Sequence, residues 1–182
     1  MNAFVPGYQH DIFVSYARVD DQTYPGIYVA GWVATLIAGL KVKLGQKLGR
    51  SDLFSLWKDE QLSPNKPLTP EILSVLKQSA TLVIILSPGY MASPWCLKEM
   101  ETFWQELTQR TNSDSRIFVV ERDKLEFVQK PKALSDLLGY KFWVQDSEGK
   151  APRILGDHKL DDDYYNKLND LAYNLANDSM LR

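Results

Sequence analysis

The chain has 182 residues, which fits one domain on the prior of roughly 100 to 200 residues per domain. Folding at that length removes about 70% of the unfolded chain's surface from water, so a core forms without covalent or metal staples. Hydrophobic residues at 45%, charged residues at 24%, and 5 Trp, 9 Tyr and 7 Phe exclude global disorder and collagen-like structure, and a formal net charge of -2 supplies no broad positive field for a phosphate backbone.

Nucleic acid is therefore not expected as a partner. A single cysteine, Cys96, forms no internal disulfide, and with only His10 and His158 beside it there is no zinc-ligand spacing, so no metal is expected. The N-terminal MNAFVPGYQHD has neither a basic start nor a long apolar region, and no stretch approaches the roughly 20 apolar residues that cross a bilayer. These features lead us to expect a cytoplasmic protein without a membrane partner.

In chain order, Asp11 to Tyr16 (DIFVSY) is continuously apolar at Ile12, Phe13 and Val14, the pattern of a strand covered on both faces. Gly26 to Leu48 carries Val29, Val33, Leu36, Ile37, Leu40, Leu44 and Leu48 at the three-and-four spacing of a helix face. Leu53 to Trp57 suits a second strand, and the prolines and Asn65 within Lys58 to Leu68 mark a loop. Thr69-Pro70 is a cap followed by proline at the first helical position, and it opens a short helix burying Ile72, Leu73 and Leu76. Thr81 to Ser87 is a buried strand, and Ser93-Pro94 repeats the cap-then-proline signal for a helix to about Gln109. Arg116 to Glu121 and Lys141 to Val144 read as strands four and five, with a short helix at Lys132 to Leu138 between them. Asp161 to Asp163 places acids in the first turn of a last helix reaching about Ala176.

Five short apolar strands alternating with helices predict an α/β flavodoxin-like three-layer sandwich: a five-stranded parallel sheet, order 2-1-3-4-5, with helices on both faces. In that order ligands bind outside the carboxyl ends of strands one and three, which directs attention to Ala17 to Tyr24, Lys58 to Leu68 and Ser87 to Trp95. On a helical wheel centred on Cys96, the residues Met100, Phe103 and Leu107 fall within about 40° and define the buried stripe. Trp95 and Glu99 are four apart and lie together on its flank near the helix start. The placement serves either a half-buried indole beside a solvated carboxylate or a binding pair at the crevice mouth. Trp104, on the opposite flank, reads as packing.

Other chemistry is poorly supported. There is no GxGxxG and no GxxxxGK[ST]. Asp20 and Asp21 resemble the acidic pair of a phospho-receiver domain, but strand three ends in Ser87-Pro88-Gly89 without an acceptor Asp. Ser15 and Ser87 have no His nearby in sequence, and Cys96 lies on the buried stripe, which favours a packed thiol over a nucleophile.

The segments DIFVSYARVD, LWKDEQLSPN, SATLVIILSPGYMASPWCLKEM and YKFWV together resemble a TIR (Toll/interleukin-1 receptor) domain of the bacterial NAD-cleaving type, as one domain over residues 1–182 with its core at about 10–178. The resemblance implies cleavage of the nicotinamide–ribose bond of NAD+, giving nicotinamide with ADP-ribose or a cyclic isomer, in bacterial anti-phage signalling. NAD+ is then a substrate, and no cofactor is implied. By the same resemblance Glu99 of the WxxxE spacing is the catalytic residue, and Tyr16, Arg18, Asp59, Leu62 and Trp95 lie near the substrate. The loop after strand two carries Pro64-Asn65 where many relatives have Pro-Gly. Self-association with other TIR domains, and a sensor domain in a longer parent protein, are also implied. The alternative is a non-catalytic interaction module that docks on other TIR surfaces through Lys58 to Leu68. A helix flank position for Glu99 leads to the further expectation that Glu99→Ala leaves stability nearly intact.

Overall fold

The computed structural model describes residues 3–26, 30–50, 55–58, 69–110, 116–126, 130–135, 137, 139–157 and 159–180. Strand β1 (His10–Ser15) is followed by a single 3-10 turn (Arg18–Asp21), helix α1 (Trp32–Leu48) and strand β2 (Leu56–Lys58). Next come α2 (Pro70–Lys77), β3 (Ser79–Leu86), α3 (Pro88–Ala92) and α4 (Pro94–Gln109). The chain continues through β4 (Ile117–Glu121), α5 (Lys132–Ser135), β5 (Gly139–Lys141), β6 (Trp143–Val144), β7 (Arg153–Ile154) and α6 (Asp162–Asn174), which runs into a π-helical end at Leu175–Met180.

Strands β1 to β5 form one parallel sheet in the order β2-β1-β3-β4-β5. Strand β3 is buried along its whole length, as a central strand covered on both faces must be. Alternation divides the sheet's side chains between two cores. Ile12, Val14, Val83, Ile85, Phe118 and Val120 face α1 and α6, whereas Phe13, Leu82, Ile84, Leu86 and Val119 face α2, α3 and α4. The predicted helix signals operate locally. Thr69 and Ser93 cap α2 and α4 by accepting from Ile72 N and Cys96 N, with Pro70 and Pro94 in the first turn, while Asp161, expected as a first-turn acid, is instead the N-cap of α6, accepting from Tyr164 N ahead of Asp162 and Asp163.

Three expectations are corrected. The proposed fifth strand, Lys141 to Val144, is divided. Gly139–Lys141 pairs with β4, while Trp143–Val144 pairs antiparallel with β7 in a separate two-stranded sheet. Phe142 is the reason: its N–H still bonds Glu121 O at 2.9 Å, but its carbonyl accepts from Leu155 N at 2.7 Å. Its ring is fully buried between Trp32 and Tyr164 in edge contacts at 5.8 and 5.7 Å. The first helix begins at Trp32 and not at Gly26, and Val29 lies outside the described residues. Trp104 is 39% exposed, so it is a surface residue and not core packing.

Asp11 ties the N-terminal segment to the sheet. It is fully buried and accepts from three backbone donors: Phe4 N at 3.0 Å, Val5 N at 2.8 Å and Ser55 N at 2.6 Å. Removing the carboxylate leaves three donors to be desolvated without a partner, each costing about 1–3 kcal/mol when fully buried. Asp11→Ala is expected to destabilise the fold by about 3 kcal/mol or more, read as a lowered urea midpoint with an unchanged slope. A cost below about 1 kcal/mol would contradict this role.

Candidate functional site

The order of strands reverses between β1 and β3, and the carboxyl ends of these two strands and of β4 meet there. Ser15 ends β1 on the same face as Phe13 and so points toward α4, whereas Tyr16 falls on the opposite side and is buried in the core against α1. Beyond β3, Ser87 caps α3 by accepting from Tyr90 N at 3.0 Å. Helix α3 sits close against the 3-10 turn, and Gly89 permits it: a Cβ there would come within 2.5 Å of Val19 and 3.3 Å of Ala17. After β4, Arg122 N bonds Leu86 O at 3.0 Å, which brings its side chain to the same edge.

Two buried carboxyls lie in this arrangement. Glu99, in the second turn of α4, is 2% exposed, and its Oε2 is hydrogen-bonded to Ser15 Oγ at 2.6 Å. Ser15 Oγ is also 2.9 Å from the Tyr90 hydroxyl, which in turn is 3.0 Å from the carbonyl oxygen of Cys96. The wheel alone puts Glu99 on a half-solvated flank. It is buried because α3 and β1 both pack against α4 there and deliver Tyr90 and Ser15 onto the same turn.

Asp20, the second carboxyl, accepts a very short hydrogen bond from Ser87 Oγ and faces Arg122 Nη1 at 3.6 Å. Arg122 also pairs with Asp123 at 2.8 Å and lies over the Trp32 ring at 5.5 Å. Burial pushes the Asp20 carboxyl above the ordinary range, opposed by the Ser87 bond and the Arg122 charge. Its neighbour Asp21 serves the scaffold, accepting from Ala34 N at 2.8 Å in the first turn of α1. Burial also pushes the Cys96 thiol up to about 12, so it stays protonated and is no nucleophile.

Of the site residues expected from sequence, Glu99 lies at the carboxyl end of β1, and Trp95 is half-buried one turn before it in α4. Arg18 is exposed in the 3-10 turn. Tyr16 follows Ser15 in sequence but faces the other core. Asp59 and Leu62 lie outside the described residues. Sequence reasoning did not assemble Ser15, Asp20, Ser87, Tyr90 and Arg122 into one cluster. One signal was available: Ser87-Pro88 has the same cap-then-proline form as Ser93-Pro94 and announces α3, which carries Tyr90. Among the described residues no three His, Cys, Asp or Glu side chains gather as a metal site, and no helix is long and apolar enough to cross a membrane.

A family model described as "TIR domain" matches residues 40–155. The disease resistance protein RPP2A of Arabidopsis thaliana is 23% identical over 163 residues, covering 76% of this chain and 11% of that protein. The protein SUPPRESSOR OF npr1-1, CONSTITUTIVE 1, also of Arabidopsis thaliana, is 36% identical over 42 residues, covering 23% of this chain and 3% of that one. The chain thus matches about a tenth or less of the length of these curated relatives. Among solved structures, the TIR domain of the Toll-related receptor TRR-2 from Hydra magnipapillata gives a TM-score of 0.46 at 15% identity, covering 73% of this chain and 84% of that one. The TIR domains of the activated Roq1 resistosome give 0.39 at 19% identity, covering 61% and 56%.

Two predictions follow from the carboxyls. Because Glu99 is buried and hydrogen-bonded, Glu99→Ala is expected to cost about 1–3 kcal/mol in urea unfolding, where a flank position implies almost nothing. For Asp20 the folded pKa is raised, so the native state binds the proton more tightly than the unfolded chain. Its contribution to stability therefore falls as pH rises from the ordinary value of 3.8 through the raised folded value. Asp20→Asn removes that loss, so its stability relative to the parent chain should improve as pH rises from about 4 and level off once the raised folded value is passed. A constant difference between the two proteins across that window would refute the assignment.

Proposed function

From the membership of the TIR family that the chain's match establishes, we propose that it is an NAD+ nucleosidase in which Glu99 is the catalytic carboxyl. One observation carries the reading: Glu99 stands at the carboxyl end of β1, at the strand-order reversal where open α/β sheets bind ligands, one turn past the half-buried Trp95.

The chemistry suits a single carboxylate. Nicotinamide in NAD+ is already cationic, so when the bond to the ribose anomeric carbon breaks its electron pair goes to the ring nitrogen and nicotinamide leaves neutral. No general acid is needed, unlike ordinary glycoside cleavage with its two carboxyls. The carboxylate of Glu99 opposes the positive charge that develops at the anomeric carbon and accepts hydrogen bonds from ribose hydroxyls. Attack by water then gives ADP-ribose and releases one proton, whereas attack by an adenine nitrogen gives a cyclic isomer. Trp95 is assigned to stack on a ring or exclude water, and Arg18 to face the diphosphate or the ribose. Tyr16, Asp59 and Leu62 remain proposed substrate contacts, with Tyr16 requiring a change from the core position described above.

Glu99 is 2% exposed, so this reading requires a rearrangement that uncovers it. We assign that rearrangement to self-association with other TIR domains, driven in a longer parent protein by a sensor domain, in cytoplasmic immune signalling against phage. The same burial favours a second reading, an interaction module in which Glu99 only supports the fold.

The experiment is product analysis by chromatography after incubating concentrated, artificially clustered protein with NAD+. Free nicotinamide is expected, and Glu99→Gln, which keeps the shape and a hydrogen bond to Ser15, should release it at least about 100-fold more slowly. Equal release by the two proteins would remove Glu99 from the mechanism, and none from either would favour the interaction module.

A further inference from the structure

Three oxygen–oxygen contacts run in a line from Glu99 Oε2 through Ser15 Oγ and the Tyr90 hydroxyl to Cys96 O, at 2.6, 2.9 and 3.0 Å. All are within hydrogen-bond range. Each contact needs one proton. Ser15 and Tyr90 supply one hydroxyl proton apiece, and the Cys96 carbonyl supplies none. An ionised Glu99 is also an acceptor only, so with a carboxylate at one end and a carbonyl at the other, two protons would have to serve three contacts. One of the three would then bring lone pairs together in a site closed to water, for Ser15, Tyr90 and Glu99 are all almost wholly buried. A protonated Glu99 adds the missing proton. Glu99 then donates to Ser15, Ser15 to Tyr90 and Tyr90 to Cys96 O, all in one direction.

Among the described residues, the titratable groups near this line do not supply the proton by another route. Tyr90, on α3, is held well above the usual phenol range, chiefly by burial, and keeps its single proton. The Cys96 thiol, on α4, is likewise kept protonated, chiefly by burial. Asp20, in the 3-10 turn, takes its hydrogen bond from Ser87 and has Arg122 beside it. Arg18 of the same turn is exposed.

We propose that Ser15 and Tyr90 are positioning residues that hold Glu99 as the neutral acid in this closed arrangement, and that Glu99 ionises only when the hydroxyl line is broken. The consequence for catalysis rests on the NAD+ reading above: the carboxylate that the reaction needs is stored as its acid until the closed arrangement opens.

The protonation claim is tested without turnover. Infrared spectra of the protein labelled with carbon-13 at the glutamate carboxyls, with Glu99→Gln to assign the signal, report whether Glu99 is protonated. A protonated-carboxyl band that disappears in Glu99→Gln is expected at neutral pH. In Tyr90→Phe two of the three contacts and one proton are lost, Ser15 is free to donate to a carboxylate, and the midpoint of the Glu99 band should move down by about one pH unit or more. Ser15→Thr, which keeps the hydroxyl, should retain the parent midpoint. An ionised Glu99 at neutral pH in the parent protein overturns the proposal even if no variant folds, and so does an unmoved midpoint in folded Tyr90→Phe. Because the band needs no substrate, a protein that releases no nicotinamide but shows it would lose the enzymatic reading and keep this one.

Discussion

A carboxyl taken out of water at the seam of the sheet dictates what surrounds it. Burying an unpaired carboxylate is prohibitively costly, so such a group must be hydrogen-bonded, neutralised or both. Among the described residues Ser15 is a partner of Glu99, and its orientation is fixed by the two-residue repeat of β1, which sends Phe13 and Ser15 toward α4 and Ile12 and Val14 toward α1. A one-residue slip of β1 would exchange these faces and leave Glu99 against an aliphatic side chain. The pairing of β1 with both β2 and β3 holds that register from either side. The chemistry of the edge thus depends on the sheet's central hydrogen-bond ladder.

Asp20 and Glu99 illustrate two ways of accommodating an acid in the interior. Asp20 has a cation within 3.6 Å and a serine hydroxyl that donates to it, both of which stabilise the charged form against the penalty of burial. Glu99 joins a line of hydroxyls ending on a carbonyl, an environment better matched to a proton donor than to a charge.

Much of this architecture was legible in the sequence, for identifiable reasons. The apolar runs Ile12–Val14 and Leu82–Leu86 have the short, continuous pattern of doubly covered strands, Thr69 and Ser93 announce their helices by local capping, and the acids at Asp161 to Asp163 mark the start of α6. The pairing of Trp95 with Glu99 was legible because it is a one-turn relation within a single helix. What was missed depends on contacts between distant segments. Burial of Glu99 is imposed by Ser15, 84 residues away, and by Tyr90 on a five-residue helix. The split of the fifth strand follows from Phe142 choosing the core between Trp32 and Tyr164 over continued pairing with β4, and the run KFWV carries no mark of that choice. A helical wheel ranks exposure relative to one axis only. It has no means of registering a second helix laid across its flank.

Ser87 connects the two acids. Its single hydroxyl proton goes to Asp20, while its oxygen accepts from Tyr90 N and so fixes the first turn of α3. Helix α3 in turn places the Tyr90 hydroxyl against Ser15, and Ser15 against Glu99. The 3-10 turn carrying Asp20 is anchored at its other side by Asp21 on the first turn of α1, and Gly89 keeps the turn and α3 in direct contact. A displacement of that turn therefore has a contiguous path to the buried glutamate through Ser87, α3, Tyr90 and Ser15. Such a path transmits a change only if one link has two arrangements. The Ser15 to Tyr90 contact is the link with that property, since either hydroxyl can be its donor and the direction is set by whether Glu99 holds a proton.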